Sequence, residues 1–200
     1  ELPTPDEKTP CRLTNCLMGA SLEPGPAWWM RIERTARMKE TPEDLRRLQA
    51  LLDESHAAMT QHMASILSPE RRLTAEQLVE ELQGMKLLVL ATVTSKGEPR
   101  VGAVDAFFYR GTFWFGSSPN AVRFQHIRRR PAVSATHLDG ERFAVTVHGT
   151  AELVDMRDPS TAGYRDILIG NYGEEWWREI GESAQFARIV PKRMYTFFMG

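Results

Sequence analysis

Ser117, Ser118 and Arg123 carry the clearest chemical signal in this chain. Gly116-Ser117-Ser118 closes an aromatic, strand-like run just before a helix-like segment over residues 120–130. Small hydroxyls, free backbone N–H groups and the positive end of a helix together suit an anion, above all a phosphate. Arg123 falls one turn into that segment, and a guanidinium can grip a phosphate through two parallel hydrogen bonds. The alternative is an ordinary strand-to-helix turn beside a surface arginine. Arg128, Arg129 and Arg130 complement the negative end of the same helix, and a solvated helix end accounts for them.

Other residues offer chemistry with a plainer reading beside it. Asp105 stands inside an apolar run, where a carboxylate must be paired or hydrogen-bonded. A structural partner, within the chain or across a subunit contact, is the expectation for it rather than a catalytic role. His137 and His148 flank the Asp139-Gly140 dipeptide, and each is expected to hold a structural hydrogen bond. Gly149, next to His148, would let a flat ring approach its strand closely. His56, Met59 and Met63 share one helical face and could offer axial ligands to haem, yet a stripe of this composition is ordinarily core. Trp176 and Trp177 are either core lids or the wall of a ligand slot. Cys11 and Cys16, spaced C-x4-C without further Cys or nearby His, fall short of the four ligands of a closed zinc site, so no metal is expected.

The elements that must position these residues follow from pattern and punctuation. Residues 1–27 are rich in Pro, Gly and polar residues and read as an irregular arm, pinned by an amphipathic piece that starts at Trp28-Trp29. Thr41-Pro42-Glu43-Asp44 opens a helix whose stripe runs Leu45, Leu48, Leu52, Met59, Met63, Ile66, up to Ser68-Pro69. Thr74 through Gln77 is a capping box for a second, short helix that Gly84 can close. Leu78, Val79 and Leu82 form its buried side, and it should cap one end of the sheet that follows.

Residues 85–155 are the organising stretch. Three β-like runs are joined at Lys96-Gly97 and Arg110-Gly111; after the basic helix come two more, joined at Asp139-Gly140. The order is strand, strand, strand, helix, strand, strand. The first strand is apolar on both faces, which predicts cover on both sides, one from the core and the other from a helix or a second subunit. After Asp158-Pro159 come a helix marked by Tyr164, Ile167 and Leu168 and closed near Gly170, a short helix at residues 173–181, and a last strand with Pro191 at a bulge or edge.

Bulk properties narrow the class. Two hundred residues, 42% of them apolar, suffice for one domain with an extension or for two small ones. A net charge of −1 argues against general electrostatic binding of nucleic acid, and the Arg128–Arg130 cluster lacks interleaved aromatics. No apolar run is long enough to span a bilayer, and no secretory signal pattern opens the sequence. A soluble cytoplasmic protein is the expectation, with no membrane and no nucleic-acid partner.

Taken together, LLVLATVTSKGEPRVGAVDAFFYRGTFWFGSS, the basic helix ending at Arg130-Pro131, the strand ending HGTAELVD and the closing ARIVPKRMYTF resemble the FMN-binding split-barrel superfamily. That superfamily comprises the pyridoxamine 5′-phosphate oxidase-like proteins and the flavin- and deazaflavin-dependent oxidoreductases. The likeness covers roughly residues 74–200 and leaves residues 1–73 as an N-terminal arm and helical extension. It implies an α+β, mainly β fold, a split barrel of about six strands. It also implies a homodimer with cofactor held between the two barrels. Ser117, Ser118 and Arg123 then correspond to the grip on the cofactor phosphate, with Arg where the family usually has Lys. Arg100, Val101, Gly102, Ala103 and Val104 would lie along the ring system. FMN is the first expectation, with F420, FAD or haem as the other options. The implied activity is hydride transfer between a bound flavin or deazaflavin and a small organic substrate, with no catalytic side chain identified. The rival is a non-catalytic cofactor- or haem-binding protein.

Overall fold

The structure, a computed structural model, describes residues 39–199. Cys11, Cys16, Trp28 and Trp29 lie outside the described residues.

Helix α1 (Pro42–Ala57) starts where its sequence says it should. The Thr41 hydroxyl accepts the Asp44 N–H at 3.2 Å, and the Asp44 carboxylate accepts the Thr41 N–H at 2.9 Å. A cap of this kind stabilises a helix by about 1 kcal/mol. The helix ends sooner than its apolar stripe predicts. Thr60 turns its hydroxyl onto the Met63 N–H at 3.2 Å and begins a separate helix, α2 (Gln61–Ile66). A threonine that caps backbone locally competes with helix continuation, and here the cap wins over the period. Met59 therefore falls in the break, and His56, Met59 and Met63 do not share one helical face.

The inner side of α1 buries Leu48, Leu52 and Ser55. Ser55 donates to the Leu51 carbonyl at 2.6 Å and accepts the Met194 N–H at 2.9 Å, which stitches α1 to the last strand. Helix α3 (Ala75–Glu81) carries the predicted capping box between Thr74 and Gln77, and the Gln49 side chain of α1 accepts the Ala75 N–H at 2.9 Å. Gly84, at φ +75°, turns the chain out of this helix into the barrel.

Six antiparallel strands close that barrel: β1 (Met85–Val93), β2 (Pro99–Tyr109), β3 (Thr112–Ser117), β4 (Ala132–Asp139), β5 (Phe143–Val154) and β6 (Gln185–Phe198). Their order around the barrel is β1-β2-β3-β6-β5-β4, which leaves no free edge. Helix α4 (Val122–Arg129) joins β3 to β4; α5 (Ala162–Tyr172) and α6 (Glu174–Glu179) join β5 to β6. The α+β architecture read from the sequence, six strands with a helical part before them, is the one observed. Arg110 and Gly111 both take positive φ, 51° and 76°, as a tight two-residue hairpin requires. The β5–β6 ladder slips at His148/Gly149 opposite Pro191. A Cβ on Gly149 would run into the Val190 carbonyl oxygen, so it is backbone, not an aromatic ring, that comes close at this glycine.

Two apolar clusters hold the molecule together. The larger joins Leu88, Phe113, Phe115 and Ile189 of the barrel interior to Leu52, Leu78 and Leu82 of the helices, so α1 and α3 share the barrel's core. The smaller lies outside the barrel wall, where Tyr164 and Leu168 of α5 pack on Phe107, Tyr109, Trp114 and Phe186. The outer face of β1 has no such cover among the described residues. Leu87 is 58% exposed and Val89 40%, beside Val101 at 67% on β2 and Leu138 at 57% on β4.

Candidate functional site

Two concavities open on either side of the turn between β3 and α4. The first, a crevice of about 270 Å³, is bounded by Leu90 and Thr92 of β1, by Arg100, Val101 and Gly102 of β2, and by Val122, Arg123 and His126 of α4. Helical spacing puts Arg123 and His126 on one face of α4, one turn apart. That face borders the barrel because Phe124 and Ile127, on the adjoining face of the helix, are buried in the core. Arg123 is half-buried, and its Nη2 lies 3.9 Å from where a Cβ on Gly102 would stand. Glycine at that position leaves the space beside the guanidinium open.

Thr92, almost fully buried, and His126 share a hydrogen bond of 2.9 Å between Oγ1 and Nδ1, which fixes the imidazole at the crevice wall. Arg100 is exposed and already engages Glu98 at 2.9 Å. Among the described residues Arg123 forms no ion pair, and no carboxylate lines the crevice. Two guanidinium groups and an imidazole around an open strand segment suit an anion.

The second concavity, about 310 Å³, is walled by aromatic rings: Phe107 of β2, Phe186 of β6, Tyr164 and Tyr172 of α5, and Trp176 of α6. Ser117 and Ser118 sit on its rim, and Asp105 lies at its edge. Tyr172 and Trp176 form a tilted pair with centroids 4.5 Å apart, and Phe107 meets Tyr172 edge-on at 6.0 Å. Burial, with the Asp105 carboxylate nearby, pushes the Tyr172 phenol up to about 12.

The residues singled out from sequence thus divide. Arg123 stands with Arg100, Val101 and Gly102 in the crevice, whereas Ser117 and Ser118 border the aromatic cavity. Ala103 is exposed on the outer face of β2, and Val104 is buried in the barrel core. Trp176 lines the aromatic cavity, while Trp177 packs on Phe186 with stacked rings 6.2 Å apart. His137 bonds the Leu87 carbonyl at 2.9 Å and His148 the Ser134 hydroxyl at 2.8 Å, the structural roles expected of them. Thr92 and His126 were not anticipated. The position of His126, three residues after Arg123 on an amphipathic helix, is the signal that could have found it.

Residues 74–195 match the family model described as pyridoxamine 5′-phosphate oxidase. The chain belongs to that family. Among curated proteins none matches it. Of solved structures, the heme storage protein HutZ of Vibrio cholerae superimposes with a TM-score of 0.51 at 20% identity, over 66% of this chain and 94% of that one. An F420 reductase reaches 0.44 at 20% identity, over 68% and 98% of the two chains. The conserved hypothetical protein Rv2991 of Mycobacterium tuberculosis reaches 0.47 at 20% identity, over 70% and 86%. At 20% identity the likeness to HutZ shows a shared fold alone. No helix among the described residues is long and apolar enough to cross a membrane.

Proposed function

We propose that this family member is an oxidoreductase that holds a phosphate-bearing planar redox cofactor, FMN first, with F420 or FAD as the alternatives. The observation that carries the reading is the Arg123 guanidinium, half-buried over the bare backbone of Gly102 in a crevice without acids. Arg123 would take the cofactor phosphate, with Arg100 supplying a second cation once it turns from Glu98. His126, fixed by Thr92, can add a hydrogen bond to the same oxygens. Val101, Gly102 and Ala103 present an open strand against which a flat ring can lie, while Ser117 and Ser118 border the neighbouring aromatic cavity. When bound, such a cofactor supplies the hydride chemistry; the chain supplies position and a dry wall.

In this reading a homodimer of cytoplasmic chains completes the groove. The uncovered apolar face around Leu87, Val89 and Val101 supports a second copy there. Residues 74–200 would carry the cofactor, and residues 1–73 the extension that shapes access for a small organic substrate.

Titration of cofactor-free protein with FMN and with riboflavin tests the phosphate seat. A guanidinium–phosphate contact is worth about 1.5–3 kcal/mol, so FMN should bind at least about tenfold more tightly than riboflavin. Arg123→Ala should weaken FMN binding by at least about tenfold while leaving riboflavin binding unchanged. Equal affinities in the parent protein would overturn the assignment.

A further inference from the structure

The aromatic cavity shares no lining residue with the Arg123 crevice, and its chemistry is opposite. Its walls are the rings of Phe107, Tyr164, Tyr172, Trp176 and Phe186, and the one charged side chain among the described residues that line it is Asp105. Asp105 is exposed on β2, opposite Leu87 of β1, and has no salt-bridge partner among the described residues.

This shape is built by the fold rather than left by loose packing. Tyr164 is 1% exposed and meets Trp114 at 4.8 Å and Phe186 at 6.0 Å, so the floor is fixed from both sides. Gly116 leaves room for the Phe186 ring, which a Cβ at that position would meet at 2.5 Å. Tyr172 and Trp176, on two successive helices, make a tilted pair above that floor. A volume of about 310 Å³ is at the small end for ligand sites, enough for a fused bicyclic ring with a short side chain.

We propose that this cavity is a binding site for a small aromatic amine, its ring among the five aromatic walls and its protonated nitrogen on the Asp105 carboxylate. Several electron-rich rings attract a cation, and a carboxylate at the mouth that faces the Tyr172 phenol and no cation among the described residues fixes its position and rejects anions. The site lies along β2 from the segment Val101–Gly102, so an occupant would stand beside a cofactor held in the crevice. The inference does not depend on that cofactor, because it concerns binding to this cavity alone.

Calorimetric titration of the cofactor-free full chain with tryptamine, indole-3-propionate and 3-ethylindole tests it. These probes share one ring system and differ in charge. Tryptamine should bind at least about tenfold more tightly than indole-3-propionate, the loss expected when one charge-assisted contact is replaced by a repulsion. Asp105→Asn, an exposed and nearly isosteric change, should weaken tryptamine by a similar factor and leave 3-ethylindole unaltered. Trp176→Ala should weaken all three. Failure of tryptamine to bind, binding of the propionate as tightly as the amine, or tryptamine affinity indifferent to Asp105→Asn would each overturn the proposal. The FMN and riboflavin titrations read the other crevice, so the two assignments can fail separately.

Discussion

Val89→Glu should separate the proposed dimer without unfolding the barrel. Val89 lies mid-strand on the outer face of β1, opposite Ala103 of β2 and Thr136 of β4, with 40% of its surface exposed. Its side chain takes no part in the barrel core, and its cross-strand neighbours are uncharged. The cost to the isolated chain is then a change in strand preference, below about 1 kcal/mol. In a two-fold dimer the same substitution enters the interface twice. Each copy forfeits about 1 kcal/mol of apolar burial, given that full burial of a valine is worth roughly 1.5–3 kcal/mol and part of it is already buried. Each also brings a carboxylate that costs several kcal/mol to desolvate. Even about 2 kcal/mol per copy weakens association roughly a thousandfold. Sedimentation velocity over a wide concentration range reads this directly, with thermal unfolding measured beside it. The parent chain should be dimeric and the variant monomeric with nearly unchanged unfolding. A parent chain that is monomeric throughout, or a variant that dimerises equally well, would refute the reasoning.

Two further outcomes follow from the helical part. Ser55→Ala removes both hydrogen bonds of a fully buried hydroxyl and strands the Met194 N–H, so denaturant unfolding should show a loss of about 1–3 kcal/mol; a loss below a few tenths would show that α1 is not fastened to β6 there. His56 is held below its ordinary 6.5 by burial and then by Arg72, and its buried Nε2 has no hydrogen-bond partner among the described residues. The unfolded chain therefore takes up this proton first, and stability is full above about 6.5 and declines as pH falls from there toward the folded value. His56→Gln should flatten the dependence of the denaturation midpoint on pH across that window, and an unaltered slope would count against the burial of a neutral imidazole.

Much of the barrel was legible because its signals are local. The Thr41 and Thr74 caps, the turn at Arg110-Gly111 and the order of strands around the basic helix each depend on residues a few positions apart, and each is found in place. The break at Thr60 was hidden by periodicity: a stripe from Leu45 to Ile66 counts apolar residues but does not weigh one hydroxyl's claim on the backbone. The two-sided apolar character of β1 was read correctly, yet the described residues cover only one side, and the other face is the argument for a second copy. The candidate site was less legible. Spacing alone grouped Ser117, Ser118 and Arg123, but the turn over residues 118–121 separates the serines from the arginine into two concavities. The aromatic cavity depends on Tyr164, Tyr172 and Trp176 arriving from α5 and α6 onto Phe107, more than fifty residues earlier, a meeting that no local pattern announces.

The account rests on a phosphate-bearing redox cofactor seated by Arg123. Absorbance and mass analysis of the small molecules released from the purified full chain test it most directly. A flavin or deazaflavin carrying phosphate, close to one per chain, is the predicted result. A Soret band from haem, or a colourless protein that takes up neither FMN, FAD nor F420, would contradict it.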